Sequence, residues 1–185
     1  MWNRRVVELR DHLVGEFLVA CHFKNLEDGF EWAFAGVYGP TVDCSRSLLW
    51  DEMLGVCRWW NLPWCFGGDF NLTHFPSEKS GESNFSHAMS SSSDLIFELN
   101  PIDLPLVGGD YTWSNGRSFS RLDRFLVSTS WEAHFSGLNQ KLLPRMCSDH
   151  YPIMLDCGGV KVGRRYFKFE NMRLKEEGFV DKVRS

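Results

Sequence analysis

Apolar and polar positions along the chain change period several times, and each change marks an element. Phe30 to Tyr38 alternates before turning apolar and predicts a strand; Glu16 to Phe23, mostly apolar, predicts another, and Val6 to Leu9 a short one. Between the last two long runs, Asn25-Leu26-Glu27-Asp28-Gly29 ends in Asp-Gly, a hairpin signal that pairs them antiparallel. Gly39-Pro40 stops the third strand. From Asp43 to about Trp60 the spacing becomes helical: Leu49, Met53, Cys57 and Trp60 recur on one face, and Leu48, Trp50, Leu54 and Val56 widen it. Asn61-Leu62-Pro63 ends that helix and feeds the apolar run Trp64-Cys65-Phe66, read as a buried strand.

Further along, Thr73 to Asn84, with Pro76, Lys79 and Gly81, reads as an exposed loop. Phe85, Met89, Ile96 and Leu99 fit a second helix, although the serine run at 90–93 lowers its propensity. Asn115-Gly116, after Tyr111-Thr112-Trp113-Ser114, is the strongest hairpin signal in the chain. Phe119 to Val127 then predicts a strand, Ser130 to Phe135 a helical turn, Leu138 to Leu143 an irregular strand and Tyr151 to Leu155 a final apolar strand. Residues 158–185 turn basic and then mixed in charge, with a helix-like Glu170 to Val183, and read as a linker-like tail. Many strands, several joined by hairpins, with two substantial helices between them, predict one α/β sandwich of mainly antiparallel pairing over residues 1–157. A Rossmann fold would need regular strand–helix alternation and a Gly-rich first turn.

Composition agrees with a single domain: 185 residues, 43% hydrophobic and 15% aromatic, suffice for a substantial core. A formal net charge of -4 gives no global basic footprint, so nucleic-acid contact would fall to local clusters such as Arg117/Arg121/Arg124 or Lys161/Arg164/Arg165. Clusters of that kind are commonly only solvated surface. Six cysteines lack any C-x-x-C pair and read as reduced core residues of an intracellular protein, nuclear or cytoplasmic. No apolar run approaches the ~20 residues needed to cross a bilayer, so no membrane partner is expected.

Candidate chemistry gathers in three stretches. The strand that begins at Trp64 stops at Gly67-Gly68-Asp69-Phe70-Asn71, delivering an acid and an amide two residues apart, on one side if the strand geometry persists. Their donors and acceptors suit a phosphate, a water or a metal, and the two glycines allow unusual angles or the close approach of a ligand. A Gly-Asp turn capped by Asn reads equally well on these residues alone. Asp123 stands inside an apolar segment, where an unpaired carboxylate would be costly. Asp149-His150 stands at the entry to an apolar strand, a place for a half-buried, oriented imidazole. Pairing Asp123 with His150 accounts for both.

Five segments in order, Ala35-Gly36-Val37-Tyr38-Gly39-Pro40, Gly68-Asp69-Phe70-Asn71, Tyr111-Thr112-Trp113-Ser114, Ser120 to Ser128 around Arg121-Leu122-Asp123, and Ser148-Asp149-His150-Tyr151-Pro152, resemble the endonuclease/exonuclease/phosphatase superfamily. Most similar is the apurinic/apyrimidinic-like endonuclease domain of plant non-LTR (LINE-type) retrotransposons. The resemblance implies a deoxyribonuclease-I-like sandwich of two sheets flanked by helices, and a Mg²⁺- or Mn²⁺-dependent enzyme that nicks DNA. It implies that His150 contacts the scissile phosphate, oriented by Asp123, and that Asp69 positions or deprotonates the attacking water. Asn71 and Tyr38 would hold phosphate oxygens, Arg121 would contact substrate, and Asp149 would help to hold the metal. Family members carry an asparagine and a metal-binding glutamate before the Tyr38 segment; Asn3 and Glu8 do not match those contexts, so N-terminal strands are expected to be lacking, with an open sheet edge and weak stability as consequences. The segment from Phe167 to Asn171 is similar to one that leads into a reverse transcriptase, which this chain does not contain. Two alternatives stand beside the nuclease: a non-catalytic remnant that binds nucleic acid or protein, and a phosphatase of the same superfamily.

Overall fold

The computed structural model describes residues 2–81, 99–135 and 137–158. The helix expected over 85–99, apart from Leu99, and the tail from residue 159 lie outside these. Three antiparallel strands open the fold: β1 (Val7–Val14), β2 (Leu18–Asn25) and β3 (Glu31–Tyr38). The Asp-Gly signal turns the chain as expected, with Gly29 at φ 72° and Asp28 Oδ1 accepting from the Phe30 N–H at 3.0 Å. β1 is twice the length expected. Its second half, Asp11 to Val14, mostly exposed, pairs with Val19 to His22 at the sheet edge.

A short 3-10 turn at Asp43–Ser45 precedes α1 (Arg46–Trp60), which ends where Asn61 takes left-handed angles (φ 45°) and returns its N–H to the Cys57 carbonyl. α1 is a crossover, so β4 (Trp64–Asp69) runs parallel to β3, a parallel pair within an otherwise antiparallel sheet. Short strands β5 (Ile102–Asp103) and β6 (Leu106–Val107) follow, then the hairpin of β7 (Trp113–Ser114) and β8 (Phe119–Ser120) around Asn115-Gly116. β9 (Asp123–Val127), α2 (Thr129–His134), β10 (Asn139–Leu142) and β11 (Ile153–Asp156) complete the described chain. The strand expected over Phe119 to Val127 is thus two strands, because Thr112 Oγ1 takes the N–H groups of both Leu122 and Asp123 and breaks the ladder there.

Six strands form the large sheet, in the order β1-β2-β3-β4-β9-β5, and three form a second, β11-β10-β6. On one face of the large sheet Ala33, Ala35 and Val37, with Trp64 and Phe66, receive the buried Leu49, Met53 and Val56 of α1. The small alanines let the helix come close. On the other face Cys65 and Val127 pack with Trp131 of α2, Leu138 and Leu155, beneath the second sheet. Burying each large apolar side chain contributes about 1.5–3 kcal/mol, so the two layers carry the fold. Gly67 and Gly68 serve this packing: a Cβ on Gly67 would overlap the Phe125 ring, and one on Gly68, at φ 146°, would overlap the Val37 carbonyl. The close approach read from these glycines is that of neighbouring strands, not of a ligand.

Candidate active site

Sheet register assembles the centre of the site. Tyr38 pairs with Asp69 across β3 and β4, and Asp69 pairs with Asp123 across β4 and β9. Registered neighbours project to the same face, so three residues from distant parts of the chain stand in one row at the strand ends. His150, carried by the loop before β11, completes the group. Its Nδ1 lies 2.9 Å from Asp123 Oδ2 and its Nε2 3.9 Å from Asp69 Oδ2. One ligand atom from each of Asp69, Asp123 and His150 falls within 4.8 Å of the others, a spacing a single metal ion could share.

Local bonds hold each member. Asp69 Oδ1 accepts the Asn71 N–H at 2.8 Å, the short turn that the sequence left open beside a phosphate site, and it keeps Oδ2 toward His150. Asn71 itself sits at φ 50°, and its Nδ2 donates to the Gly39 carbonyl at 2.8 Å, leaving a second amide N–H. Tyr38 is 69% exposed. Asp149 is exposed, and its Oδ2 accepts the Trp113 indole N–H at 2.9 Å, so the acid expected on the metal is turned to an aromatic neighbour beside the cluster.

These environments shift the titrating groups apart. Burial, helped by the charges of Asp123 and Asp149, pushes the Asp69 carboxyl above its ordinary value against the pull of the Asn71 N–H and His150. Burial by itself would lower the His150 imidazole, but the hydrogen bond and charge of Asp123, with Asp69 and Asp149 beyond, outweigh it and leave the ring above 6.5. The Trp113 indole holds Asp149 below the usual range. Because the folded value of His150 is raised, the stability it contributes is complete below the unfolded value and is lost as pH rises through the folded one. An NMR titration of the metal-free chain is expected to place His150 above 6.5, and in Asp123→Asn to bring it down; a wild-type ring titrating below 6.5 would contradict the pairing.

Arg121 and Arg124, expected at a nucleic-acid surface, are turned inward. The Arg124 side chain is fully buried, bonded to Glu78 and Asp103, and Arg121 reaches Asp103 Oδ1 at 2.7 Å and the Leu104 carbonyl at 2.8 Å. The physical reason is neutralisation, since a guanidinium enters an interior only with carboxylates to meet it. The same network corrects part of the exposed loop expected over Thr73 to Asn84: of its described residues, 73–81, Phe75, Ser77, Lys79 and Gly81 are exposed as expected, while others are not. His74 and Glu78 are buried, and the Glu78 carboxylate accepts the His74 N–H. Sequence reasoning also passed over Thr112, fully buried, which seats the Asp123 backbone, and Trp113, which seats Asp149. Both lie in a segment that the sequence marked only as a match.

The model of the Endonuclease/Exonuclease/phosphatase family matches residues 27–150, which span the whole of this cluster. The chain belongs to that family. Its α/β sandwich is the family's fold, as the sequence led us to expect. Among solved structures, the endonuclease domain of TRAS1, a telomere-specific non-LTR retrotransposon, superposes with a TM-score of 0.66 at 16% identity, covering 88% of this chain and 72% of that one. A 3′ phosphatase, NExo from Neisseria, bound to a product DNA hairpin, gives 0.58 at 14% identity over 80% and 71%. A mannosyl-6-phosphatase from Bacteroides thetaiotaomicron gives 0.54 at 17% identity over 84% and 68%. At these identities the likeness is one of fold. No curated protein matches the chain in sequence, and no helix among the described residues is long and apolar enough to cross a membrane.

Proposed function

We propose that this chain is a divalent-metal-dependent endonuclease domain of non-LTR retrotransposon type, which nicks DNA. One observation carries the reading: His150 bonded to Asp123 at 2.9 Å with Asp69 facing its other nitrogen, a two-acid, one-imidazole group at the ends of buried strands. The fold likeness to the TRAS1 endonuclease domain supports the nuclease branch.

The donor set suits a hard cation. Asp69 and Asp123 offer carboxylate oxygens within reach of one ion, with Asp149 alongside, and Mg²⁺ or Mn²⁺ needs only one or two carboxylates when waters and substrate phosphate fill the rest. Bound there, a divalent cation neutralises charge on the phosphate. The residues supply the remainder. His150, its protonated form favoured by Asp123, would donate its Nε2–H to a phosphate oxygen, with Nδ1–H held by the carboxylate. Asp69, whose Oδ2 faces the imidazole, would orient the attacking water and take its proton. The second amide N–H of Asn71 and the Tyr38 hydroxyl would hold non-bridging oxygens.

Asn3 and Glu8 take no part in this group. Asn3 caps the Arg5 N–H, and Glu8 pairs with Arg10 on the edge strand. This favours, as the second reading, a non-catalytic domain that binds nucleic acid or protein without cutting DNA. Supercoiled plasmid with Mg²⁺ or Mn²⁺ separates the two. Open circles that form with the wild-type chain, and not with His150→Ala or Asp69→Ala, support the endonuclease. A folded wild-type chain that leaves the plasmid closed in both metals supports the binding domain, and phosphate release from a sugar phosphate without any nicking would favour a phosphatase.

A further inference from the structure

Two rows of side chains meet at His150. The first is the row of Tyr38, Asp69 and Asp123 described above. The second runs away from it across four extended segments. Trp113 of β7 forms an antiparallel bridge with His150 on one side and pairs with Ser120 of β8 on the other, and Ser120 forms an antiparallel bridge with Lys79. Backbone hydrogen bonds stitch these segments together. Ser114 N–H donates to the Asp149 carbonyl at 2.9 Å and Tyr151 N–H to that of Thr112 at 2.7 Å; on the far flank Ser80 N–H donates to Phe119 O at 2.9 Å and Arg121 N–H to Glu78 O at 2.8 Å. The loop from Glu78 to Ser80 therefore acts as an additional strand, held by the buried Glu78–Arg124 pair beneath it.

Registered residues face the same way, and His150, Trp113, Ser120 and Lys79 all line one cleft of about 380 Å³, with Asn71 and Asn115 at its sides. Three inter-strand steps of ~4.8 Å put Lys79 about 14 Å from His150. Lys79 is exposed, on extended backbone, and among the described residues no carboxylate pairs with it, whereas Arg121 and Arg124 are both taken up by Glu78 and Asp103. A lysine so placed is a point charge for a phosphate.

Resting on the reading of His150 as the group at the reacting phosphate, we propose that this second row is a track for one strand of a polynucleotide. Lys79 grips a phosphate downstream or upstream of the one at His150, and Trp113 lies along the strand between. A span of about 14 Å exceeds the distance between adjacent phosphates of one strand, so the track selects a polymer over a sugar phosphate or a dinucleotide, which cannot reach Lys79.

Fluorescence anisotropy of the intact chain with chelator present, so that nothing is cut, tests this on a labelled duplex of about 12 base pairs and on a dinucleotide. Lys79→Ala is expected to weaken duplex binding by about 5–10-fold at low salt and to flatten the plot of log affinity against log salt by about 0.9, one phosphate contact. Lys79→Arg is expected to keep the slope, and the dinucleotide to bind both proteins alike. An unchanged slope in Lys79→Ala, or an equal loss on the dinucleotide, overturns the track. The two readings fail separately: Lys79-dependent binding by a chain that nicks nothing leaves the track and removes the enzyme, and nicking with an unaltered slope does the reverse.

Discussion

Asp123→Asn and His150→Ala are each expected to slow plasmid nicking by about 10²–10⁴-fold, and the double variant to be no slower than the worse of the two. The geometry sets that expectation. Asp123 Oδ2 and His150 Nδ1 are 2.9 Å apart, so the carboxylate aims the ring and favours its charged form, and its benefit passes through the imidazole. Once the ring is gone, the carboxylate has nothing left to aim. Asparagine keeps the shape of the side chain and removes the charge, which separates orientation from packing. Rates for the two single variants and the double, measured at one metal concentration, decide the matter. Costs that multiply in the double would mean that Asp123 acts on substrate or metal independently of His150.

Arg124→Met is expected to destabilise the fold by about 3–5 kcal/mol, the effect of removing one partner of a buried ion pair. The Arg124 guanidinium is bonded to Glu78 Oε1 at 3.1 Å and Oε2 at 3.0 Å, to Asp103 Oδ2 at 2.7 Å, and to the carbonyls of Leu72 and Arg121 at 3.1 and 2.9 Å. Methionine fills the volume but removes the buried cation between the two carboxylates, leaving Arg121 alone to bridge them. A domain of this size loses on the order of 10 °C in Tm for such a change, measured by circular dichroism at neutral pH. Burial alone would raise both acids, yet Arg124, with His74 and Arg121, holds Glu78 and Asp103 below their ordinary values. A depressed carboxylate stabilises the fold above its unfolded value and ceases to as pH falls through the folded one. The gap in Tm between wild type and variant therefore narrows in acid. A variant with wild-type Tm at neutral pH, or a gap that widens in acid, would mean that the network does not hold the loop.

The cost of that network also explains why part of the site was illegible in the sequence. Arg121 and Arg124 look like surface cations beside Arg117 because their partners, Glu78 and Asp103, are more than 15 residues away and come from a loop and a two-residue strand. Short strands such as β5 and β6 have no period to detect, since two residues do not establish an alternation. Lys79 carries no local signal either. Its place opposite His150 depends on two isolated bridges between segments more than 30 residues apart.

Other features depend only on nearest neighbours along the chain, and these were readable. The Asp28-Gly29 and Asn115-Gly116 turns, the helical face of Leu49, Met53 and Val56, and the apolar run that ends at Asp69 follow from local conformational preference and periodic burial. So did the pairing of Asp123 with His150, because a carboxylate inside an apolar segment and an imidazole at a strand entry each need a partner, and each was the obvious one for the other. Tertiary structure alone decided which oxygens face inward, which arginines are consumed by the interior, and that Tyr38, Asp69 and Asp123 share one row. Those outcomes are matters of register and of long-range charge neutralisation, quantities that exist only once separate strands lie side by side.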